Sequence, residues 1–503
     1  MKRIYRVYKK TVSIVNETPM QMYENLVGDA TGFLLESYDK NYDRFTLFGK
    51  EPQEIITSRE NALVIQTKDG QKQIREGNPL HLLKEYYDEF EIRKDNRELN
   101  FSGGLTGCVG YDFIRYTESL PDNNPEEIGI ETIQMMLMSK FILVDHVAET
   151  LTGVVLEADN EEGKRRALQE AEEMIDTALG RSEGDFSHGN AVQANVTKSE
   201  QTSLPETNLN TASKTSETTR TPLQNAAIKA KSDTIESYCA KVEQIKSYIR
   251  EGHIFQTVLS QRWVIETGRS GFDLYKELRK LNPSPYLYYF HFEDFEVIGS
   301  SPEMLVKQQQ NRVYTCPIAG TRPRGKDAVE DAFLRDELLA DEKERAEHVM
   351  LVDLARNDMG RICEFGTVKV TEFMQVRNYS HVMHIVSMVE GRKKEGYHPL
   401  DLLSSFLPAG TLSGAPKIRA MEIIDELETS RRGLYAGSTG YLDFGGDMDF
   451  CITIRTMVKK DNLVYLQAGA GIVADSVPEM EYKECLNKVM ALAKTLVGEN
   501  GVE

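Results

Sequence analysis

The sequence predicts an α+β protein, in which strands and helices follow one another without a regular alternation. Short apolar runs at residues 63–65 and 141–144 indicate strands, whereas the apolar spacing over 81–90 indicates a helix. A doubly wound sheet would need strictly alternating strands and helices, so an α+β arrangement fits better. A length of 503 residues allows two or more structural units with a substantial core.

The charge balance restricts the kinds of partner that we expect. The chain carries 60 basic and 79 acidic side chains, a formal net charge of −19. A surface of this sign repels nucleic acid and anionic membranes. We find neither a membrane-spanning apolar run nor a signal-peptide core, and the six scattered cysteines are typical of a reducing compartment. The expected location is therefore the cytoplasm, with no nucleic-acid or membrane partner.

A composition break divides the chain into three parts. Residues 1–180 have a mixed pattern, and residues 231–503 have denser helix and strand signals. Between them, 181–230 is predicted to be a flexible linker or insertion, because 181–225 contains 14 Ser or Thr but no Ile, Met, Tyr, Trp or Cys. The elements predicted in the third part are helices at 235–251, at 332–354 and from about 415, strands at 256–265, 286–292 and 463–467, and a last helix from Ser476 with Glu479 in a capping box.

Two acidic pairs have helical spacing. Glu344 and Glu347 lie three residues apart, as do Glu481 and Glu484, so each pair projects from one face of a helix. If the four carboxylates met, they would repel one another unless a divalent cation neutralised them, and oxygen ligands suit Mg²⁺. The alternative is two solvated helix faces in an acidic protein.

Two glycine-containing segments precede helices. Residues 469–471 (Gly-Ala-Gly) are expected between a strand and the last helix, where backbone N–H groups can approach an anion. A tight turn explains these glycines equally well. A second loop, 408–417, offers Thr411 as a donor but lacks the Walker spacing, so a nucleotide phosphate site is not indicated.

Four longer motifs carry a family resemblance. They are AEHVMLVDLARND (346–358), YSHVMHIV (379–386), PAGTLSGAPK (408–417) and EYKECLNK (481–488). In this order they resemble the chorismate-utilising enzymes, most closely the large subunits of anthranilate synthase, over essentially the whole chain outside 181–230. The resemblance implies an α+β fold with large antiparallel sheets packed against helices and an active site in a cleft between them.

The resemblance also assigns roles to individual residues. It implies that Glu347 and Glu484 bind Mg²⁺ directly, with Glu344 and Glu481 nearby or acting through water, and that the ion holds the ring carboxylate of chorismate. The residues expected to contact the substrate are Tyr435, Arg455, Gly469, Ala470, Gly471, Lys488 and Thr411, the last of which is grouped with the catalytic residues. Glu303 matches the general acid for the departing C4 hydroxyl, and His384 matches the residue that removes the C2 proton.

Two positions discriminate between branches of the family. Related isochorismate and salicylate synthases have a lysine base where this sequence has Gln256, and aminodeoxychorismate synthases have a lysine nucleophile where it has Ala319. Both differences favour direct attack by ammonia. The expected reaction is conversion of chorismate and ammonia to anthranilate and pyruvate through 2-amino-2-deoxyisochorismate, the first step of tryptophan biosynthesis. The alternatives are an aminodeoxychorismate or aminodeoxyisochorismate synthase, and a tryptophan-binding regulatory protein with an inactive site.

The resemblance further implies a partner and a regulator. The 503 residues contain no glutamine amidotransferase domain, so a separate glutaminase subunit is expected to supply ammonia, in a heterotetramer. The segments at 34–37 and 282–286 resemble those that form a tryptophan feedback pocket. The expected tryptophan contacts are Glu36, Ser37, Asn282, Pro283, Ser284 and Tyr286.

Overall fold

The computed structural model describes residues 2–37, 45–93, 99, 101–181, 227–379 and 382–497. The strands of these residues are β1 (Arg3–Ser13), β2 (Gly32–Glu36), β3 (Phe45–Lys50), β4 (Glu54–Arg59), β5 (Ala62–Thr67), β6 (Lys72–Glu76), β7 (Phe90–Arg93), β8 (Gly104–Val109), β9 (Ile133–Met138), β10 (Lys140–Asp145), β11 (Thr150–Glu157), β12 (Ala227–Lys231), β13 (Gln256–Glu266), β14 (Tyr286–His291), β15 (Glu296–Ser301), β16 (Met304–Gln309), β17 (Arg312–Thr315), β18 (Ile318–Pro323), β19 (Lys369–Asn378), β20 (Val382–Arg392), β21 (Gly414–Ala415), β22 (Ser438–Asp443), β23 (Met448–Ile452), β24 (Thr456–Lys460) and β25 (Leu463–Ile472).

The helices pack on the outer faces of these strands. They are α1 (Pro19–Leu26), α2 (Pro79–Asp88), α3 (Glu161–Ala178), α4 (Ile235–Arg250), α5 (Gly271–Leu281), α6 (Ala328–Ala340), α7 (Glu342–Ile362), α8 (Pro399–Phe406), α9 (Lys417–Leu427) and α10 (Pro478–Val497), with short 3₁₀ turns at Tyr111–Tyr116 and Gly410–Leu412. Most begin at a residue whose side chain accepts a hydrogen bond from the first turn, such as Thr18, Asn78 or Ser270.

The strands form two large, mostly antiparallel sheets. The first has the order β12-β13-β25-β24-β15-β14-β2-β3-β10-β11-β1-β7, with β21 paired to β13, and the second has the order β18-β20-β17-β16-β23-β22-β8-β9-β4-β5-β6, with β19 paired to β20. Each sheet takes strands from both sides of residues 182–226 along the chain. The fold is therefore α+β, as predicted.

The two sheets face each other across an aromatic core. Its fully buried members include Phe33, Phe141, Tyr288 and Phe290 of the first sheet and Cys108 and Met136 of the second. A second cluster, which includes Trp263, lies between the first sheet and helices α4, α5 and α10. Burial of such large side chains stabilises the packing of the layers, at about 25 cal/mol for each Å² of apolar surface.

Several predicted boundaries are wrong. The predicted helix at 332–354 is two helices, because Asp341 ends α6 and caps α7 by accepting hydrogen bonds from the N–H groups of residues 343 and 344. Strand β25 extends to Ile472, five residues beyond the prediction. The capping box at Ser476 is also wrong, since its hydroxyl accepts the Val473 N–H at 3.1 Å and α10 begins at Pro478.

The predicted linker lies mostly at 182–226, outside the described residues. The last residues of the predicted linker lie in a strand and not in a flexible segment, because Ala227–Lys231 form β12 and pair with β13. In the described part of the chain, no helix combines the length and apolar character needed to cross a membrane.

Candidate active site

A cavity of about 580 Å³ opens where the ends of the two sheets meet helices α7 and α10. Its walls include β13 and β25 from the first sheet and β18 and β20 from the second. The predicted site residues on its surface are Glu303, Glu344, Glu347, His384, Thr411, Tyr435, Arg455, Gly469, Gly471, Glu481, Glu484 and Lys488. The fold thus brings together side chains that lie up to 185 positions apart in the sequence.

Ala470 is the exception among the predicted substrate contacts. Its side chain is fully buried in the core on the opposite face of β25. The backbone groups of successive strand residues point to opposite edges of the strand. The Gly469 carbonyl accepts from Lys488 at one edge of β25, so the backbone groups of Ala470 point to the other edge, where β13 lies. The prediction that Ala470 contacts the substrate is therefore not supported by its placement.

The glycines on either side of Ala470 lie within β25 and not in a strand-to-helix loop, which corrects the prediction. In the described residues, β24 pairs with β25 only as far as Leu466, so the next residues present a free edge to the cavity. A Cβ atom at Gly469 would lie 2.8 Å from Val258 Cγ1, and one at Gly471 would lie 2.7 Å from Gln256 Nε2. A side chain at Gly469 would also meet the Leu259 carbonyl oxygen at 3.0 Å, so that position is the more restricted, whereas at Gly471 the Gln256 side chain would have to move.

The two acidic pairs face one another across the cavity. Burial, the nearby Glu344 and the nearby Glu484 raise the pKa of Glu347. Burial, reinforced by Glu484, also raises the pKa of Glu481. This mutual repulsion is the environment that a divalent cation would relieve, and the donor set consists of the carboxylate oxygens that Mg²⁺ prefers.

Two of the four carboxylates already have cationic partners. Arg322 donates to Glu344 at 3.4 Å and also to Asp341 at 2.9 Å. Lys488 lies 2.7 Å from Glu484 and donates to the Gly469 carbonyl at 2.8 Å. Within the described ranges, no three acidic, histidine or cysteine side chains already converge as a metal-binding group. The four carboxylates are therefore candidate metal ligands, of which Glu344 and Glu484 are ion-paired.

Glu303 lies at the turn between β15 and β16 and is only 8% exposed. Burial raises its pKa to about 8, against the lowering effects of the Thr411 hydroxyl and the Lys488 ammonium group. The carboxyl group therefore keeps its proton at neutral pH. A protonated carboxyl on a cavity wall can act as a general acid.

His384 projects from β20 with a defined tautomer. Its Nδ1 lies 2.8 Å from the Gly320 carbonyl oxygen, which can only accept, so Nδ1 carries the proton. Gly320 has a φ of +62°, and an added Cβ would meet Leu338 at 2.9 Å, so glycine is needed to present this carbonyl. Burial lowers the pKa of His384, with a further lowering effect from Arg455. Its Nε2 is then a free base.

A positively charged region of the cavity lies beside Glu303 and His384. Arg455 has a φ of +52°, lines the cavity and donates to the Lys488 carbonyl at 3.2 Å. Burial lowers its pKa, but a guanidinium group remains charged at neutral pH. Together with the Lys488 ammonium group and the free backbone edge of β25, Arg455 can bind a carboxylate.

The two branch-discriminating residues also line the cavity. Gln256 Oε1 is buried without a hydrogen-bond partner among the described residues, and Ala319 contributes a methyl group. Neither position can supply a lysine base or nucleophile.

The sequence reasoning missed the residues that hold the cavity walls together. Arg432 is fully buried, pairs with Glu428 at 2.7 Å, and donates to the carbonyls of Leu412 at 2.7 Å and Val258 at 2.8 Å. His348 is also buried, with Nε2 2.6 Å from Ser387 Oγ, and fastens α7 to β20. The i,i+4 spacing of Glu428 and Arg432 was a usable signal for the ion pair, but no sequence signal indicated its burial.

A second cavity lies between the two sheets. Glu36, Ser37 and Tyr286 line it, whereas Asn282, Pro283 and Ser284 are not among its lining residues. Ser37 Oγ is buried with no hydrogen-bond partner in the described part of the chain. The Glu36 carboxylate accepts from Arg279 at 2.8 and 3.1 Å. The cavity therefore combines apolar walls with polar groups at one end.

Comparison with known proteins agrees with this geometry. The family model for chorismate binding enzymes matches residues 42–494. Similar proteins named anthranilate synthase component 1 include that of Acetivibrio thermocellus, 42% identical over 99% of this chain and 96% of that protein, and that of Thermus thermophilus, 41% identical over 99% and 98%.

Solved structures extend the comparison. The crystal structure of anthranilate synthase component I from Streptococcus pneumoniae superposes with a TM-score of 0.73 at 36% identity, over 90% of this chain and 92% of that chain. The menaquinone-specific isochorismate synthase of Escherichia coli has a TM-score of 0.67 at 18% identity, over 98% of this chain and 95% of that chain, which shows a shared fold.

Proposed function

Because the chain belongs to the chorismate-binding enzymes and, within them, to the anthranilate synthase component 1 proteins, we propose that it converts chorismate and ammonia to anthranilate and pyruvate, as a lyase of tryptophan biosynthesis. The observation that carries the proposal is the convergence of an acid, a base, a carboxylate-binding region and four metal-ligand candidates on one cavity. Chorismate is a dianion, and the cavity offers a separate means of neutralising each carboxylate.

Two groups of residues on the cavity wall bind the two carboxylates of chorismate. Arg455, Lys488 and the free edge of β25 at Gly469 and Gly471 hold the enolpyruvyl carboxylate, with Tyr435 and Thr411 beside it. A Mg²⁺ ion held by Glu347 and Glu484, with Glu344 and Glu481 nearby or acting through water, would supply charge neutralisation and a template for the ring carboxylate.

Amination is the first chemical step. Ammonia forms a bond to C2 of the ring as the C4–O bond breaks, and Glu303 donates its proton so that the hydroxyl leaves as water. The added nitrogen then loses one proton to solvent and Glu303 takes one up, so the step yields 2-amino-2-deoxyisochorismate with an uncharged amino group and both of its carboxylates. Gln256 and Ala319 provide no base for water and no covalent nucleophile, which supports direct attack by ammonia.

Elimination is the second step. His384 accepts the C2 proton at Nε2, the C3–O bond to the enolpyruvyl group breaks, and the ring becomes aromatic. The released enolpyruvate takes up a proton and becomes pyruvate. A synthase that stopped after amination is the alternative, and the presence of a neutral histidine base on the cavity wall favours the complete reaction.

The family membership also supports the proposal of a partner subunit and of a regulator. A glutaminase subunit supplies the ammonia, and the reaction takes place in the cytoplasm. Tryptophan binds in the second cavity, where Ser37 Oγ is available to a ligand amino or carboxylate group and the apolar walls suit an indole ring. Calorimetric titration tests this site, since wild type should release or absorb heat on binding tryptophan and Ser37→Phe should not.

The catalytic proposal is tested by steady-state turnover with chorismate and ammonium chloride. Fluorescent anthranilate should appear only with Mg²⁺ present, and pyruvate should appear in equal amount. Glu347→Gln should abolish the response to Mg²⁺. Turnover that is unaffected by a chelator, or an aminated product that accumulates without pyruvate, would overturn this assignment.

A further inference from the structure

Ser300 lies between the two cavities and contacts residues beside both. It is fully buried near the end of β15. Strand β15 pairs with β14, which forms part of the second cavity, and with β24, which follows directly after Arg455. A buried hydroxyl at this position can transmit a small displacement from one cavity to the other, because packed neighbours leave it no alternative partner.

The side chain of Ser300 anchors the segment that leads into the second cavity. Its Oγ accepts from Asn282 Nδ2 at 3.3 Å and shares its one proton between two acceptors, the Asn282 carbonyl and Ser284 Oγ, the latter at 2.9 Å. Ser284 in turn donates to the Tyr286 carbonyl at 3.1 Å. Tyr286 lines the second cavity and donates from its own hydroxyl to Asp449, also on that cavity, at 2.9 Å.

The backbone of Ser300 anchors the substrate side. Its N–H donates to the Arg455 carbonyl at 3.1 Å. This hydrogen bond comes directly after the Gly299–Thr456 pair, the last pair between β15 and β24. Arg455 occupies the left-handed region, which is sparsely populated for a residue with a side chain. Its conformation therefore depends on its anchors, and a shift of Ser300 changes where its guanidinium group lies in the main cavity.

We infer that Ser300 is the positioning residue through which the second cavity controls Arg455. The inference rests on the proposed tryptophan site and names how that site acts. A ligand that fixes Tyr286 and its neighbours in a new position displaces Asn282 and Ser284, and the three contacts of the Ser300 hydroxyl carry this displacement into β15. The Arg455 carbonyl follows the Ser300 N–H, and binding of the substrate carboxylate weakens.

The adjacent residue provides a matched control. Ser301 is also fully buried, but its Oγ donates to the Ile452 carbonyl at 2.6 Å. Ile452 N–H donates to the Glu303 carbonyl at 3.0 Å. The Ser301 hydroxyl therefore anchors the turn that carries the general acid, and within the described part of the chain it makes no hydrogen bond to the 282–286 segment. Ser301→Ala removes the same chemical group from the same strand without cutting the proposed route.

The experiment measures the coupling between the two ligands. Tryptophan affinity is determined by calorimetry with Mg²⁺, with and without saturating chorismate, in the absence of ammonia so that amination does not occur. Coupling is reciprocal, so the ratio of the two dissociation constants reports the effect of each ligand on the other. We expect a ratio of at least about 5 in wild type and in Ser301→Ala, at the lower end of typical couplings. In Ser300→Ala the ratio falls below about 2, while tryptophan alone binds within about threefold of wild type.

Each outcome has a distinct meaning. A Ser300→Ala protein that keeps the wild-type ratio overturns the inference, as does an equal loss of coupling in Ser301→Ala. A wild-type protein that binds no tryptophan overturns the proposed regulation and, with it, the inference. If Ser300→Ala does not fold, Ser300→Cys keeps the side-chain volume with a weaker hydrogen bond and receives the same measurement.

Discussion

Replacing Glu303 by glutamine should remove activity and, at alkaline pH, stabilise the fold. Burial raises the pKa of this carboxyl from 4.5 to about 8. In the unfolded chain the group loses its proton near its ordinary pKa, whereas the folded protein keeps the proton up to about pH 8. The folded state therefore loses stability relative to the unfolded state as pH rises between these values, and the loss is constant above them. The full difference corresponds to about 5 kcal/mol.

Glutamine is similar in shape and carries no charge, so Glu303→Gln escapes this loss. The variant should match wild type at pH 4.5, exceed it by up to about 3 kcal/mol at pH 7 and by up to about 5 kcal/mol at pH 9. Urea denaturation at the three pH values measures the difference. Glu395→Gln, at an exposed position, is the matched control and should show no such trend.

The same variant tests the catalytic role. The amide cannot donate the proton that the C4 hydroxyl needs, so kcat/KM should fall by about 10²–10⁴. In wild type, kcat/KM measured at a constant concentration of free NH₃ should decline above about pH 8, as the acid loses its proton. A variant that is less stable than wild type at pH 9, or that keeps more than a tenth of the activity, would refute the reasoning.

Three further substitutions test other parts of the site. Glu347→Gln should weaken Mg²⁺ binding by at least about tenfold in calorimetry without substrate. Glu342→Gln, at an exposed position of the same helix, should leave the Mg²⁺ affinity unchanged. Equal Mg²⁺ affinities of the two variants would contradict the metal assignment. Arg432→Met removes the cationic partner of the buried Glu428 and should lower the free energy of unfolding by about 3–5 kcal/mol in urea denaturation. The double variant Arg432→Met/Glu428→Leu should recover part of this loss. A loss below about 1 kcal/mol would contradict the role of Arg432 in holding the cavity walls together. His384→Asn should slow pyruvate release by about 10²–10⁴ and let the aminated intermediate accumulate in chromatography, so an unchanged rate of anthranilate formation would exclude His384 as the base.

The fold class and most of the site were accessible from the sequence. Irregular alternation of strands and helices correctly indicated α+β, and helical spacing together with the family resemblance pointed to the catalytic and metal-ligand candidates that the structure places on one cavity. The i,i+3 spacing of Glu344 and Glu347 correctly placed both side chains on one helical face. Spacing alone, however, could not show that the second acidic pair faces the first across the cavity, because that depends on tertiary packing.

The errors also have physical causes. The break between α6 and α7 depends on Asp341 acting as a cap, and strong helix formers on both sides conceal it, although aspartate favours helix starts over helix interiors. The Gly-Ala-Gly segment has the composition of a turn, but pairing with β13 holds it in an extended strand. Tertiary pairing similarly decides that Ala470 faces the core while its neighbours face the cavity.

Product identity in the presence of ¹⁵N-ammonium tests the central claim most directly. Purified protein is incubated with chorismate, Mg²⁺ and ¹⁵N-ammonium, and the products are identified by mass spectrometry. The account predicts ¹⁵N-anthranilate and pyruvate in a ratio of 1:1. Unlabelled isochorismate would contradict the interpretation of Gln256, and labelled aminodeoxychorismate without pyruvate would contradict the complete two-step reaction on this cavity.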